Sequence, residues 1–491
     1  MRTLSYMMEA ALRVGGGGRP LCQSSGLLLV VFWLYICVSP ALVAAQDTLI
    51  IRMDDYLDMV RHHHPMAIQA RLLDDVSDAY DLKAKAGFDP TLSLDYDAKE
   101  FADKSYYRRL MSQLKLPTWL GADVKIAYER NRGLFLDDSE SIPDNGLLAA
   151  GISIPLGRGL IYDERRRGLQ EAELYRKAND LKRRELFNKL LFSAAKDYLK
   201  WQVLHEKLKI QERVIQIAEE RFENTRSGFE VGDRPAIDTL EATVNLRSRL
   251  QELAKIRLKI EQARNMVNTY LWDQGLLPLE IQASSRPEPL DLEPSAYMVD
   301  TLLIRSPELM SQIPTLNQLQ IELQMVELDQ RLARENLKPE LNVNFNPLLR
   351  VDDADALIRY NPRDYKWGLD FYYPLLNRKS RADLQLQQIT AQQIALDQDI
   401  IKQNLEMMVN NLIAAESNLA EQTALLSDNV VDYQTLLETE QLKYQIGESS
   451  LFLINSRETK LLDASFKMLD LQELIILTRF DLVNVYQLFS L

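Results

Sequence analysis

Cysteine is nearly missing from this chain: there are two, Cys22 and Cys37, both within the first 45 residues. Once that segment is removed as a leader, disulfides and thiol chemistry are excluded. Positive charge is also scarce, with 58 Lys and Arg against 71 Asp and Glu and a formal net charge of −13. The first 45 residues carry Arg2, Arg13 and Arg19 but one acid, Glu9, so the mature chain comes to −15. An acidic surface argues against nucleic acid as a partner, because phosphates need a basic face. Long apolar runs are missing beyond residues 26–38, and no other segment approaches the roughly 20 apolar residues of a spanning helix. Glycine and proline are absent from residues 375–446, between Pro374 and Gly447.

The apolar run at 26–38 follows three arginines and precedes Val43-Ala44-Ala45. This is the layout of a secretory signal peptide, residues 1–45, cleaved before Gln46. The alternatives are a membrane anchor or a lipoprotein box at Cys37, where Ile36 is too bulky, and Met7 or Met8 is an alternative start.

Residues 375–446 predict one helix, roughly 100 Å long at 1.5 Å per residue. Leu405, Met408, Leu412, Ala415, Leu419, Leu426, Val430, Tyr433, Leu437 and Tyr444 follow the three-and-four spacing of a coiled-coil seam. No compact core requires such a rod.

The chain also reads as a duplication. Pro65 pairs with Pro307, Pro90 with Pro339, Pro155 with Pro374 and Gly232 with Gly447. The interval from Pro155 to Gly232 is 77 residues and that from Pro374 to Gly447 is 73. Helices side by side in one wall must end together, so these intervals should match. Pro90 to Pro155 is 65 residues against 35 for Pro339 to Pro374, as loops allow. The predicted organisation is repeat 1 at 46–275, a Pro-rich linker at 276–298 and repeat 2 at 299–491, each repeat a helix, strands and a long helical hairpin.

Between the helices, period two takes over. Leu341, Val343 and Phe345 alternate with Asn342, Asn344 and Asn346; Leu92, Leu94 and Tyr96 alternate with Ser93, Asp95 and Asp97. Ile152 and Ile154 flank Ser153, and Leu369, Phe371 and Tyr373 alternate around Asp370. A half-buried soluble sheet and a membrane barrel share this alternation. Residues 107–116 and 121–128 add weaker strand material, expected as an extra hairpin or an ordered loop on the outer side. These strands are few, isolated by very long helices and bounded by polar loops such as residues 136–145, which argues against the soluble sheet, so the fold class is mainly α with membrane β strands.

The strand exits Ile152-Ser153-Ile154-Pro155-Leu156 and Phe371-Tyr372-Tyr373-Pro374-Leu375, with the hairpin turns around Gly232 and Gly447, resemble the TolC-type outer membrane factors. The resemblance implies a trimeric β-barrel of four strands per protomer above an α-helical periplasmic tunnel, in the outer membrane. It further implies a passive exit duct of a tripartite efflux pump or type I secretion system, with a periplasmic adaptor (membrane fusion) protein and an inner-membrane transporter as partners. A chain with about four strands cannot close a barrel alone, so it must oligomerise, and the resemblance implies that the oligomer is a homotrimer embedded in outer membrane lipid.

In such proteins the two turns form the tunnel tip, and Gly232, Asp238, Tyr444 and Gly447 fall on family positions. Asp238 is equally explained as a first-turn acid favoured by the helix dipole. Where relatives place a basic residue after the second turn, this chain has Ser449, and where they carry an acidic ring it has Leu453 and Ser456. Arg234 and Arg457 are the candidates for the positive partner of Asp238, and Glu448 for the ring. The rival reading is a soluble periplasmic coiled-coil adaptor or structural protein, which leaves the recurring strands unexplained. His62-His63-His64 reads as a solvated helix surface, since consecutive residues point apart on a helix, and His205 as tunnel wall or surface. No catalytic constellation, metal set or cofactor motif stands out, and an enzyme is not expected.

Overall fold

The computed structural model describes residues 49–133, 136, 142–291, 313–351 and 358–490. The leader with its two cysteines, the end of the linker and Pro307 lie outside the described residues. Ile50–Leu491 forms one unit.

That unit opens with β1 (Ile50–Ile51), α1 (Met53–His63) and α2 (Pro65–Lys85). Pro65 takes the first turn of α2, where its missing N–H costs nothing, and the His64 Nδ1 accepts from the Met66 N–H at 3.1 Å. Four strands follow: β2 (Thr91–Phe101), β3 (Lys104–Pro117), β4 (Asp123–Arg132) and β5 (Leu147–Pro155). Then come α3 (Glu164–Glu230) and α4 (Ala236–Asn268), the short β6 (Arg286–Pro287), and α5 (Pro314–Glu335). The last elements are β7 (Glu340–Val351), β8 (Ile358–Tyr372), α6 (Arg378–Gln445) and α7 (Leu451–Val485).

The six long strands form one antiparallel sheet in the order β2-β3-β4-β5-β7-β8. This corrects the expectation of four wall strands: of the two readings of residues 107–128, the structure shows the additional hairpin, and its strands belong to the sheet. β3 and β4 sit inside the sheet because their apolar residues continue its greasy face: Leu92 lies opposite Leu114, Leu114 opposite Ile126, and Ile126 opposite Ala150. Further along, Ile152 meets Phe345 and Phe345 meets Trp367. The other face carries Ser93, Asp95, Asp97, Asn342, Asn344 and Asp370. Leu92, Trp367 and Phe371 are 74%, 66% and 67% exposed, on a face that nothing among the described residues covers.

The core lies where α1, α3, α4 and α7 converge, around the fully buried Tyr56, Tyr198, Trp201 and Phe480. The linker is stitched onto α3 as an extended segment: β6 pairs with β1, Tyr198 Oη donates to the Ile51 carbonyl at 2.6 Å, and Gln202 Nε2 donates to the Glu288 carbonyl at 3.0 Å. In α6 the coiled-coil seam is half-buried or buried except for Met408. A second apolar stripe, including Leu396, Met407, Leu425 and Leu442, is exposed. Among the described residues no helix is long and apolar enough to cross a membrane.

Candidate gate at the helical hairpin tips

Both hairpins end in the same backbone device. Gly232 has φ +81° and Gly447 φ +82°. Gly232 N–H donates to the Phe229 carbonyl at 3.0 Å and Asp233 N–H to the Gly228 carbonyl at 2.8 Å. At the second tip Gly447 N–H donates to Tyr444 at 3.1 Å and Glu448 N–H to Lys443 at 2.8 Å. These paired bonds are the Schellman closure of a helix, which needs a left-handed residue that glycine supplies cheaply.

The side chains of the two tips meet. Arg234 Nη1 donates to the Tyr444 hydroxyl at 2.5 Å, and its guanidinium carbon lies 4.5 Å from the ring centre. Burial raises the Tyr444 hydroxyl above the ordinary tyrosine pKa, and nearby Asp238 pushes the same way against Arg234. Arg457 Nε stands 3.6 Å from Glu440 Oε2, while Ser449 Oγ donates to Glu440 Oε1 at 2.5 Å. The Ser449 bond, helped by Arg457, holds the Glu440 carboxyl below the usual range.

The expectation that Arg234 or Arg457 pairs with Asp238 is therefore not met within one protomer. Among the described residues Asp238 has no ion-pair partner, and its N–H donates to the Pro235 carbonyl at 3.1 Å, opening α4. Arg234 is drawn to Tyr444 because an aromatic face and a hydroxyl satisfy it together. Glu448 is exposed beside Gly447.

Above the turns sits a polar lock that local spacing did not reveal. Arg221 Nη1 and Nη2 donate to the Glu458 carboxylate at 2.9 and 3.2 Å, and Nη1 also reaches Asn455 Oδ1 at 3.1 Å. The two side chains are 15% and 5% exposed. Arg249 Nη2 donates to Thr459 Oγ1 at 2.7 Å, tying α4 to α7 beside this pair. Asn455, Glu458 and Thr459 share one face of α7 at helical spacing, the one signal available in the sequence.

At the opposite end, Pro155 and Pro374 mark where strands become helices. Leu156 N–H donates to the Leu341 carbonyl at 2.7 Å and Arg158 N–H to the Pro339 carbonyl at 2.9 Å, so the β5 exit is held against the start of β7. Asn377 N–H closes a turn on the Pro374 carbonyl at 3.0 Å, and its Nδ2 donates to Leu337 at 3.3 Å. Arg166 donates to the carbonyls of Trp119 at 3.0 Å, Leu160 at 2.8 Å and Ile161, fastening α3 beneath the β3–β4 turn.

Residues 120–271 match the model of the family described as outer membrane efflux protein. The outer membrane channel CmeC of Campylobacter jejuni superposes with a TM-score of 0.60 at 12% identity, over 89% of this chain and 85% of that one. VceC, an outer membrane protein of Vibrio cholerae, gives 0.62 at 12%, over 89% and 96%. The open MtrE outer membrane channel of Neisseria gonorrhoeae gives 0.61 at 16%, over 89% of each chain. This is the fold of an outer membrane efflux channel. Among curated proteins no sequence match is found. In this chain the two glycine turns stand at the opposite end of the long helices from the sheet.

Proposed function

We propose that the protein is the outer membrane exit duct of a tripartite efflux pump or type I secretion system, conducting substrates passively across the periplasm and outer membrane. The observation that carries this reading is the six-stranded sheet with one continuous, uncovered apolar face, set on helices with an exposed apolar stripe. A soluble adaptor would leave that face in water. A homotrimer buries the stripe of α6 between copies and gives the sheet its missing neighbours, while lipid covers the apolar face.

An inner-membrane transporter supplies the energy, and a periplasmic adaptor engages the tips around Gly232 and Gly447. The Arg234–Tyr444 contact holds the two hairpins of one protomer together at the closed tip and the Arg457–Glu440 contact ties the arms of the second hairpin to each other, with Asp238 and Glu448 as acids facing neighbouring copies or passing cations. Two measurements test this. Fractionation is expected to yield a detergent-requiring trimer in the outer membrane, and a freely water-soluble monomer would overturn the reading. Single-channel conductance of Asp238→Ala and Arg457→Ala is expected to rise, and unchanged conductance and pH dependence in both would remove the local gate.

A further inference from the structure

The sheet ends in two open edges, β2 and β8. Both strands are exposed along nearly all of their described length, whereas β3, β4 and β5 are half-buried. An open edge is not tolerated in lipid, and six strands are fewer than the eight of the smallest membrane barrels. β2 leaves the helical side and β8 returns to it, so β8 of one copy meets β2 of another antiparallel.

We infer that β8 of each protomer pairs with β2 of the next copy in the register that sets Thr91 opposite Tyr372, so that three copies of the six-stranded sheet close a barrel of eighteen strands. This rests on the trimeric duct proposed above and goes beyond it in strand number and register.

The first support is stagger. Across the sheet Leu116 lies opposite Val124, Val124 opposite Ile152, Ile152 opposite Phe345, and Phe345 opposite Trp367. Thr91 lies opposite Lys115, one residue on from Leu116, so its row meets β8 at Lys366. The helical-side end of β8 is Tyr372, six residues away. Joining Thr91 to Tyr372 thus closes the ring with six residues of stagger over six strands. One residue per strand is the ratio of the eight-stranded barrel of shear 8, whose strands tilt by about 36°, within the range of membrane barrels.

The second support is chemical. This register sets Leu92 against Phe371, Leu94 against Leu369 and Tyr96 against Trp367, continuing the apolar face. On the polar face it sets Asp97 against Lys366 and Lys99 against Asp364. Cross-strand pairs of opposite charge are favourable and like charges directly opposite are not. A shift of one residue would put apolar side chains opposite polar ones. A shift of two sets Asp97 against Asp364 in one direction, and Asp95 against Asp370 with Lys99 against Lys366 in the other. Asp364 already lies 3.5 Å from Arg350 of its own protomer, so Lys99 would complete a charge cluster at the seam. Because barrel diameter grows roughly linearly with strand number, the outlet would be about half again as wide as one built from four strands per protomer.

The mature chain's lack of cysteine makes the seam directly testable. In intact outer membranes, Asp97→Cys with Lys366→Cys on the polar face, and Leu94→Cys with Leu369→Cys on the apolar face, are expected to oxidise into covalent dimers and trimers. Asp97→Cys with Asp364→Cys, or with Gly368→Cys, is expected to cross-link at least tenfold more slowly. Faster cross-linking of a shifted pair within a stable trimer overturns the register while leaving the duct intact. A disulfide within one chain overturns the seam altogether. Absence of any trimer by crosslinking and detergent sizing removes the duct reading as well. Imaging of the purified trimer counts the strands, with eighteen expected and twelve refuting the enlarged barrel.

Discussion

α3 and α6 run for 67 and 68 residues, each starting just after a strand exit and ending in a glycine turn, yet their surroundings differ sharply. Seventeen residues of α3 are buried, against Val409 and Leu437 in α6. The cause is which elements reach each helix. α3 is packed by α1, α2, the linker and parts of α4, α5 and α7, whereas among the described residues α6 packs mainly on α5 and α7. Equal length lets the two helices run side by side and end together. In the proposed duct, unequal burial separates a helix that builds the protomer from one that waits for a neighbour.

The largest effect should come from confronting those two roles directly. Trp201→Ala empties a fully buried site on α3, and large-to-small changes of that kind cost about 3–5 kcal/mol. Chemical unfolding in detergent is expected to show that loss in the protomer itself. Leu396→Ser with Leu425→Ser, on residues 62% and 61% exposed in α6, should leave protomer unfolding nearly unchanged and release monomers on sizing. If the α6 variant unfolds as readily as Trp201→Ala, α6 is no intersubunit stave.

The polar lock sharpens the same contrast at the tip. Glu458→Gln leaves Arg221 largely buried without its counter-charge, and breaking such a pair costs about 3 kcal/mol or more. The Arg457–Glu440 pair is looser at 3.6 Å, so Arg457→Ala is expected to cost far less than Glu458→Gln. Hydrogen exchange at the tip is the measurement: Glu458→Gln should speed exchange in α3 and α7 far more than Arg457→Ala does in α6. Equal acceleration would mean that α6 is as firmly held as α3.

The contrast also explains what the sequence could and could not reveal. Pro155, Pro374, Gly232 and Gly447 act through the local backbone, so their roles were legible from type and spacing. The heptad seam from Leu405 to Tyr444 was legible too, although it packs mainly within its own protomer. β3 and β4 were legible as strand material but not as wall strands, because Ser112 interrupts the apolar alternation and the proof of membership is pairing with the neighbouring strands. The start of β8 was hidden behind Asn361-Pro362-Arg363-Asp364, which has turn composition yet lies within the strand. The tip contacts were illegible because Arg221 and Glu458 are 237 residues apart in sequence, and Arg234 chose an aromatic ring over an acid.

A smaller effect is expected at the turns. A Cβ on Gly232 or Gly447 meets nothing within 4 Å, so only the positive φ penalises a side chain. Gly232→Ala and Gly447→Ala should each cost about 1–2 kcal/mol. The loss should show as fraying of the adjoining helix end by hydrogen exchange, and more in α6, which has fewer buried residues to hold it, than in α3. Equal fraying at the two ends would erase the asymmetry at the tip.

The smallest effect tests whether the α3 environment is as dry as its burial implies. His205 stacks edge-on against Trp201 at 5.4 Å, and its Nε2 is buried without a hydrogen-bond partner among the described residues. Burial, with Arg286 and Lys209 nearby, lowers its pKa from 6.5 to about 4. The folded state thus holds the imidazole neutral where the unfolded chain protonates it. Its contribution to stability is full above pH 6.5 and drains away as pH falls through that window to about 4. His205→Gln is expected to flatten the acid limb of a stability-against-pH curve between those two values, with little change above neutrality. A limb of unchanged steepness would place His205 in water, as in the exposed stripe of α6, and the dry interior assigned to α3 would have to be redrawn around Trp201 alone.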